Sequence, residues 1–206
     1  MKLLKMVSIA LIAVLLTQCY PEGPTYVDEV DLVLSSYDPA YDFSAKHTFA
    51  MPDKIIKVDA DLVNGGEPAF VKDQYASVIL GSIRQNMLNM GWVEVDIANR
   101  PDVMVVPAES ESTTYYTYGW GYYGWWYGGY YPPGGWYYPY PTYDSYTSGS
   151  LIVSMVDPND LSANDKVRLT WTFIVNGLLQ GSTTELNARM TKGINQGFAQ
   201  SPYLKK

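Results

Sequence analysis

The chain has one cysteine, one histidine and no apolar run long enough to cross a bilayer, and each scarcity excludes something. With Cys19 alone, no intrachain disulfide can form, so packing must stabilise the fold even in an oxidising compartment. With His47 the only imidazole, a Cys–His or Ser–His pair has no other base to use. A structural zinc site, which needs four Cys or His ligands, is out of reach. Positive charge is also scarce: 14 Lys and Arg stand against 21 Asp and Glu, a formal net charge of −7. That balance gives phosphate backbones no positive footprint and argues against a nucleic-acid partner. The sequence holds no nucleophile elbow, and its glycine-rich tract lacks the Lys-Ser/Thr ending of a phosphate loop. No cofactor is expected.

What the N-terminus does contain is informative. Lys2 and Lys5 make a short positive start, Met6 to Leu16 is apolar, and Leu16-Thr17-Gln18-Cys19 ends the run. A positive start, a brief apolar stretch and an abrupt polar exit describe a signal peptide, and the stretch falls well short of the roughly 20 residues a spanning helix needs. The exit resembles a bacterial lipobox, with Leu three residues before Cys, although Gln18 stands where Gly, Ala or Ser is usual. Residues 1–18 are therefore expected to be removed and Cys19 to carry lipid, palmitate among its acyl chains. Loss of Lys2 and Lys5 with the leader takes the formal charge from −7 to −9. An acidic protein of this kind meets the membrane through its acyl chains, each buried methylene contributing about 0.8 kcal/mol. Residues 19–29 contain Pro21, Gly23 and Pro24 and read as a tether reaching up to ~30 Å. Tyr20 follows the cysteine in place of the aspartate that retains lipoproteins at the inner membrane of enteric bacteria. The expected location is thus the cell envelope, at the outer membrane of a Gram-negative bacterium.

Residues 30–203 are long enough for one domain with a real core. Strands are expected over 30–37, 46–51, 92–96, 103–106, 150–156 and 167–175. Residues 68–90 predict a helix, because Val71, Tyr75, Ile79, Ile83, Met87 and Met90 recur at spacings of three and four, and Gly91 supplies the stop. A second helix begins near Ser182-Thr183-Thr184-Glu185, a capping-box pattern, with Leu186, Met190, Ile194 and Phe198 on every fourth residue and Pro202 at its end. Residues 157–165 have the length and composition of a solvated hairpin turn. The order of elements predicts an α+β fold, a mostly antiparallel sheet with two helices packed on one face.

Several segments belong together by their order along the chain. They are Tyr41-Asp42-Phe43 before Lys46-His47-Thr48-Phe49-Ala50; Asn89-Met90-Gly91-Trp92; Arg100-Pro101-Asp102-Val103-Met104-Val105; Gly149 to Asp157; and Leu169-Thr170-Trp171. In this order and spacing they resemble a bacterial lipoprotein family known only as domain of unknown function 4136. Where that family usually has Trp followed by Arg-Gly, this chain has Trp171-Thr172-Phe173. The resemblance implies an envelope lipoprotein and brings no activity or site residues.

The most unusual tract is an insert over 112–146. Between Glu111 and Asp144 lie 32 residues without a charge, and residues 115–146 hold 17 of the chain's 30 aromatic residues with seven glycines and four prolines. Glycine and proline deny it a regular helix, while tyrosine and tryptophan offer large contact area with a polar tip. It is expected to be a long hairpin or loop. Three readings stay open: the segment folds back on the domain, it meets a bilayer at the headgroup boundary, or it binds a glycan or a partner protein. The contact residues singled out are Trp120, Trp125, Trp126, Tyr130, Trp136 and Tyr138.

Catalytic constellations are weak. His47 beside Thr48 reads as a structural or surface residue inside a strand. Asp157, Asn159, Asp160 and Asp165 could offer oxygen ligands to calcium, but they miss the EF-hand spacing and its sixth-position glycine. No metal is expected. The chain reads as a lipid-anchored, non-enzymatic envelope protein with a structural or binding role, held to membrane by its anchor and open to a glycan or another envelope protein. The alternative from another class is an enzyme acting on cell-wall or surface glycans, through a carboxylate pair whose separation the sequence does not give.

Overall fold

The computed structural model describes residues 32–58, 67, 69–110, 136–137, 149–161, 167–176 and 183–206. In chain order the strands are β1 (Val33–Tyr37), β2 (Thr48–Ala50), β3 (Ile56–Val58), β4 (Ala69–Phe70), β5 (Val93–Glu94), β6 (Val103–Ser110), β7 (Trp136–Tyr137), β8 (Ser150–Leu161) and β9 (Val167–Val175). The helices are α1 (Asp73–Asn89) and α2 (Thr183–Ala199). The fold is α+β, as expected.

All nine strands join one sheet, in the order β1-β9-β8-β6-β2-β5, with β3 and β4 continuing from the β6 edge and β7 beside β9. The long strands are antiparallel: β8 lies between β6 and β9, and β1 closes against β9. Four short pairings are parallel instead, those of β2 with β5 and β6, β3 with β6, and β7 with β9. The runs Val103-Met104-Val105-Val106 and Leu151-Ile152-Val153 form strands buried on both faces, which is why they read as continuous apolar stretches rather than alternating ones.

Both helices cover one face. From α1, Ala76, Ile79, Leu80, Ile83 and Met87 join Val103, Val105, Val153, Met155, Trp171 and Phe173 of the sheet, and Met190, Ile194 and Phe198 of α2 complete this core. Gly91, with φ +92°, turns the chain out of α1 as its position after the helix predicts. Trp92 then points inward and donates its Nε1–H to the Leu204 carbonyl at 2.8 Å, which fixes the C-terminal 3-10 turn over 202–204.

Three expectations need correction. α1 starts at Asp73, not 68, because Ala69–Phe70 pairs with β3. The second strand covers Thr48–Ala50 and not 46–51, so His47 lies just before it, exposed as its surface reading expects. Residues 157–161 do not form a solvated turn, because β8 runs on to Leu161 and Asp157 is 1% exposed; the rest of the expected turn, 162–165, lies outside the described residues. The Asp157 carboxylate is drawn in by partners distant in sequence.

A candidate contact surface at one end of the sheet

The two ends of the sheet differ in chemistry. At one end, β6 finishes at Ser110 and β8 begins at Ser150, paired with it. Gly149 donates its N–H to the Ser110 carbonyl at 3.1 Å, and Ser150 Oγ donates to Asn176 Oδ1 at 2.7 Å. The whole tract 111–148 therefore leaves from and returns to two buried central strands. The chain enters β1 at this same end, since Val33 pairs with Val175, which also pairs with Leu151, and Asn176 N–H bonds the Leu32 carbonyl at 2.9 Å. Three strand spacings separate β1 from β6, about 15 Å.

Next to these roots lies a cleft of about 190 Å³ between helices and sheet, walled by Val71, Tyr75, Ile79, Leu151, Leu186 and Met190. Lys57 and Glu109, paired at 3.2 Å, and Lys72 stand at its rim. Such a lining suits an apolar group; its polar members are paired with each other or face outward.

The opposite end is a polar latch. Asp157 accepts Tyr41 Oη–H at 2.7 Å and Lys46 Nζ at 2.8 Å, while its second oxygen takes the Asn159 N–H at 2.8 Å. Arg168 bridges two more carboxylates, with Nε on Asp38 at 2.7 Å, Nη2 on the same oxygen, and Nη1 on Asp160 at 2.9 Å. Burial, then the neighbouring Asp157 charge, pushes the Tyr41 hydroxyl far above its ordinary pKa, so it serves as a fixed donor. Burial opposes the Arg168 charge, but the bonds to Asp160 and Asp38 outweigh it and raise its affinity for its proton. Close by, Asp102 receives the N–H groups of His47 (2.8 Å) and Thr48 (2.9 Å) and the Thr48 hydroxyl (2.8 Å). Burial pushes that carboxyl up, yet the three hydrogen bonds prevail and hold it below the usual range. Every carboxylate of the latch is thus engaged as an acceptor, an arrangement that clamps loops together.

Of the contact residues expected from sequence, Cys19, Trp120, Trp125, Trp126, Tyr130 and Tyr138 lie outside the described residues. Trp136 falls in β7, its backbone opposite Val167. Asp157, Asn159 and Asp160 do not assemble as calcium ligands: two are in ion pairs, and Asn159 Nδ2 reaches the Pro101 carbonyl at 3.3 Å. Among the described residues, no three His, Cys, Asp or Glu side chains are placed to hold a metal, and no helix is long and apolar enough to cross a membrane. Sequence reasoning missed the latch as a unit. Its signal was a charge inside an apolar strand, as at Val167-Arg168-Leu169.

The model of a family described as Domain of unknown function (DUF4136) matches residues 33–203. Among solved structures, a DUF4136 family protein from Bacteroides thetaiotaomicron is similar at 30% identity and TM-score 0.66, over 85% of this chain and 97% of that one. A PelC dodecamer from Paraburkholderia phytofirmans aligns at 10% identity and TM-score 0.37, over 86% of this chain and 99% of that one, too distant to carry an argument. Among curated proteins, none matches this chain.

Proposed function

This chain belongs to the DUF4136 family, and we propose that it works as a lipid-anchored envelope protein with a structural or binding role, without enzymatic activity. Cys19 carries the anchor, and the uncharged aromatic insert makes the contact, with the membrane first and a glycan or partner protein as the other candidates. One observation carries this reading: Leu32–Val33, Ser110 and Gly149 share one end of the sheet, so the anchor's tether and both roots of the insert leave the domain together. A tether of up to ~30 Å keeps that end close to the surface bearing the lipid. Tryptophan and tyrosine are the side chains suited to a headgroup boundary, apolar in body and polar at the tip. Rigid strands holding a variable segment are the usual way binding loops are presented.

The test has two parts. Cys19→Ser should abolish incorporation of labelled palmitate into the chain. The soluble Cys19→Ser chain should then co-sediment with phosphatidylethanolamine–phosphatidylglycerol vesicles or with purified wall sacculi, and the same chain carrying Trp120→Ala, Trp125→Ala and Trp126→Ala should bind several-fold less. Equal binding by both chains to vesicles, sacculi and crosslinked envelope proteins removes the insert from the function. Equal incorporation of labelled palmitate into the parent and Cys19→Ser chains removes the anchor.

A further inference from the structure

The cleft between the helices and the sheet is too large to be ordinary packing slack. Protein interiors hold few voids larger than a water molecule, and this space measures about 190 Å³. Its walls belong to well-fixed elements. Val71 is pinned through its N–H to the Ile55 carbonyl at 2.9 Å, Ile79 belongs to α1, Leu151 to β8 and Met190 to α2, and all four side chains are buried. Tyr75 and Leu186, both half-buried on the same core, complete the apolar lining.

Three charged side chains border that lining. Lys57 of β3 and Glu109 of β6 are register neighbours, pair at 3.2 Å and cancel each other. Lys72, just before α1, is exposed and makes no ion pair among the described residues. Asp73 follows it without lining the cleft. The chain has 21 acidic side chains against 14 basic ones, so an uncompensated ammonium beside an apolar cleft runs against its overall charge. The pattern fits a ligand that is apolar along its body and carries one negative charge at its end. Size narrows the class. An apolar cavity of about 150 Å³ accepts a benzene ring, so about 190 Å³ has room for about eight carbons in a single chain. The two acyl chains of a phospholipid do not fit.

We propose that this cleft binds a medium-chain aliphatic carboxylate, its hydrocarbon between Val71, Ile79, Leu151 and Met190 and its carboxylate at Lys72 Nζ. Burial of methylenes supplies the affinity. The head stays at the solvent edge, where an exposed ion pair adds little energy and chiefly selects the sign of the charge. Lysine suits this task as a compact point charge on a flexible stem. The walls come from β8, the two helices and the junction before α1, so occupancy of the cleft is independent of what the aromatic insert meets.

Titration calorimetry of the Cys19→Ser chain with hexanoate, octanoate, decanoate and dodecanoate, each below its micelle concentration, tests the proposal. Affinity should rise about fourfold per added methylene as far as octanoate and then level off. Octylammonium should bind at least fivefold more weakly than octanoate, and Lys72→Glu should abolish or invert that preference. Leu186→Trp, which fills the cleft from a half-buried position, should cut octanoate affinity tenfold or more, with far-UV circular dichroism confirming the fold. The chain-length series and Lys72→Glu, a surface change, decide the matter if Leu186→Trp does not fold. Failure of all four acids to bind overturns the proposal. So does affinity that keeps climbing through dodecanoate, which places the chain on an open surface, and so does a preference for octanoate that survives Lys72→Glu. None of these variants alters residues 112–146, so their failure leaves the envelope-contact reading standing.

Discussion

Two glycines of α2 face β9 so closely that adding one methyl group should unsettle the domain. An ideal Cβ at Gly197 would stand 2.6 Å from both Cγ and Cδ2 of Phe173 and 2.9 Å from Cε2, and one at Gly193 would stand 2.5 Å from Val175 Cγ1. Carbon atoms prefer separations of about 3.5–4.0 Å. The Phe173 ring has little room to swing, because it is fully buried between Trp171 at 5.2 Å and Phe198 at 5.7 Å between ring centroids. The helix or the ring must give way, an overpacking cost of about 1–3 kcal/mol. Against this runs the helix preference for alanine over glycine, about 1 kcal/mol. Because the clash is with the ring's own attachment atom, the overpacking cost falls at about 2–3 kcal/mol, the upper part of that range, and Gly197→Ala should lose about 1–2 kcal/mol. Gly81 of α1 supplies the control, since nothing lies within 4 Å of its added Cβ. Gly81→Ala should therefore gain about 0.5–1 kcal/mol. Urea unfolding of the Cys19→Ser chain, followed by circular dichroism, should shift in opposite directions for the two variants with unchanged slope. The corresponding Tm changes are about 2–4 °C per kcal/mol for a chain of this size. A Gly197→Ala protein as stable as the parent would refute the close packing of α2 on β9.

Three further outcomes follow from the latch and the C-terminus. Arg168→Lys cannot reproduce the fork that holds Asp38 and Asp160, and should cost about 2–3 kcal/mol in urea unfolding; a loss under 0.5 kcal/mol would show the bridge to be idle. Asp102, whose folded pKa is depressed, adds stability that is fully present above the ordinary carboxylate value of about 3.9 and disappears as pH falls through the folded value. The Tm gap between Asp102→Asn and the parent should then be widest near neutral pH and close below about pH 4; a gap independent of pH contradicts the assignment. Trp92→Phe strands the buried Leu204 carbonyl, at about 1–3 kcal/mol, and should expose the last residues to carboxypeptidase, whereas unchanged trimming means the C-terminus is held by packing alone.

Both helices were legible in the sequence because their burial repeats locally: Ile79, Ile83 and Met87 of α1, and Met190, Ile194 and Phe198 of α2, recur every fourth residue and all are buried. The central strands were legible because β-branched runs have few other places to go. What escaped notice depended on partners far away in sequence. β3 and β4 are three and two residues long, and they exist through pairing with β6 and each other, with no local pattern to announce them. Asp157-Pro158-Asn159-Asp160 has the composition of a turn, but Tyr41 lies 116 residues away in sequence and supplies the hydrogen bond that makes an inward Asp157 tolerable. An isolated buried carboxylate would cost several kcal/mol, so the local preference yields to the paired geometry.

The segments that carried the family resemblance turn out to be joined to one another. Tyr41 meets Asp157, Thr48 meets Asp102, and Trp171 pairs with Met155, while its Nε1–H is donated at 2.8 Å to Ser201 just past α2. Those contacts cluster at the latch end and around α2, while the aromatic tract and the N-terminal segment leave from the other end of the same sheet. On the proposed function, stability and contact fall at separate places on one scaffold. Latch variants such as Arg168→Lys should lower unfolding midpoints and leave envelope binding intact at temperatures where the chain is folded. Trp120→Ala with Trp125→Ala and Trp126→Ala should weaken binding while the latch, read through the acid limb set by Asp102, keeps its pH dependence. If the two sets of variants fail to separate in this way, the sheet is transmitting strain from end to end, and the division between clamp and contact surface is wrong.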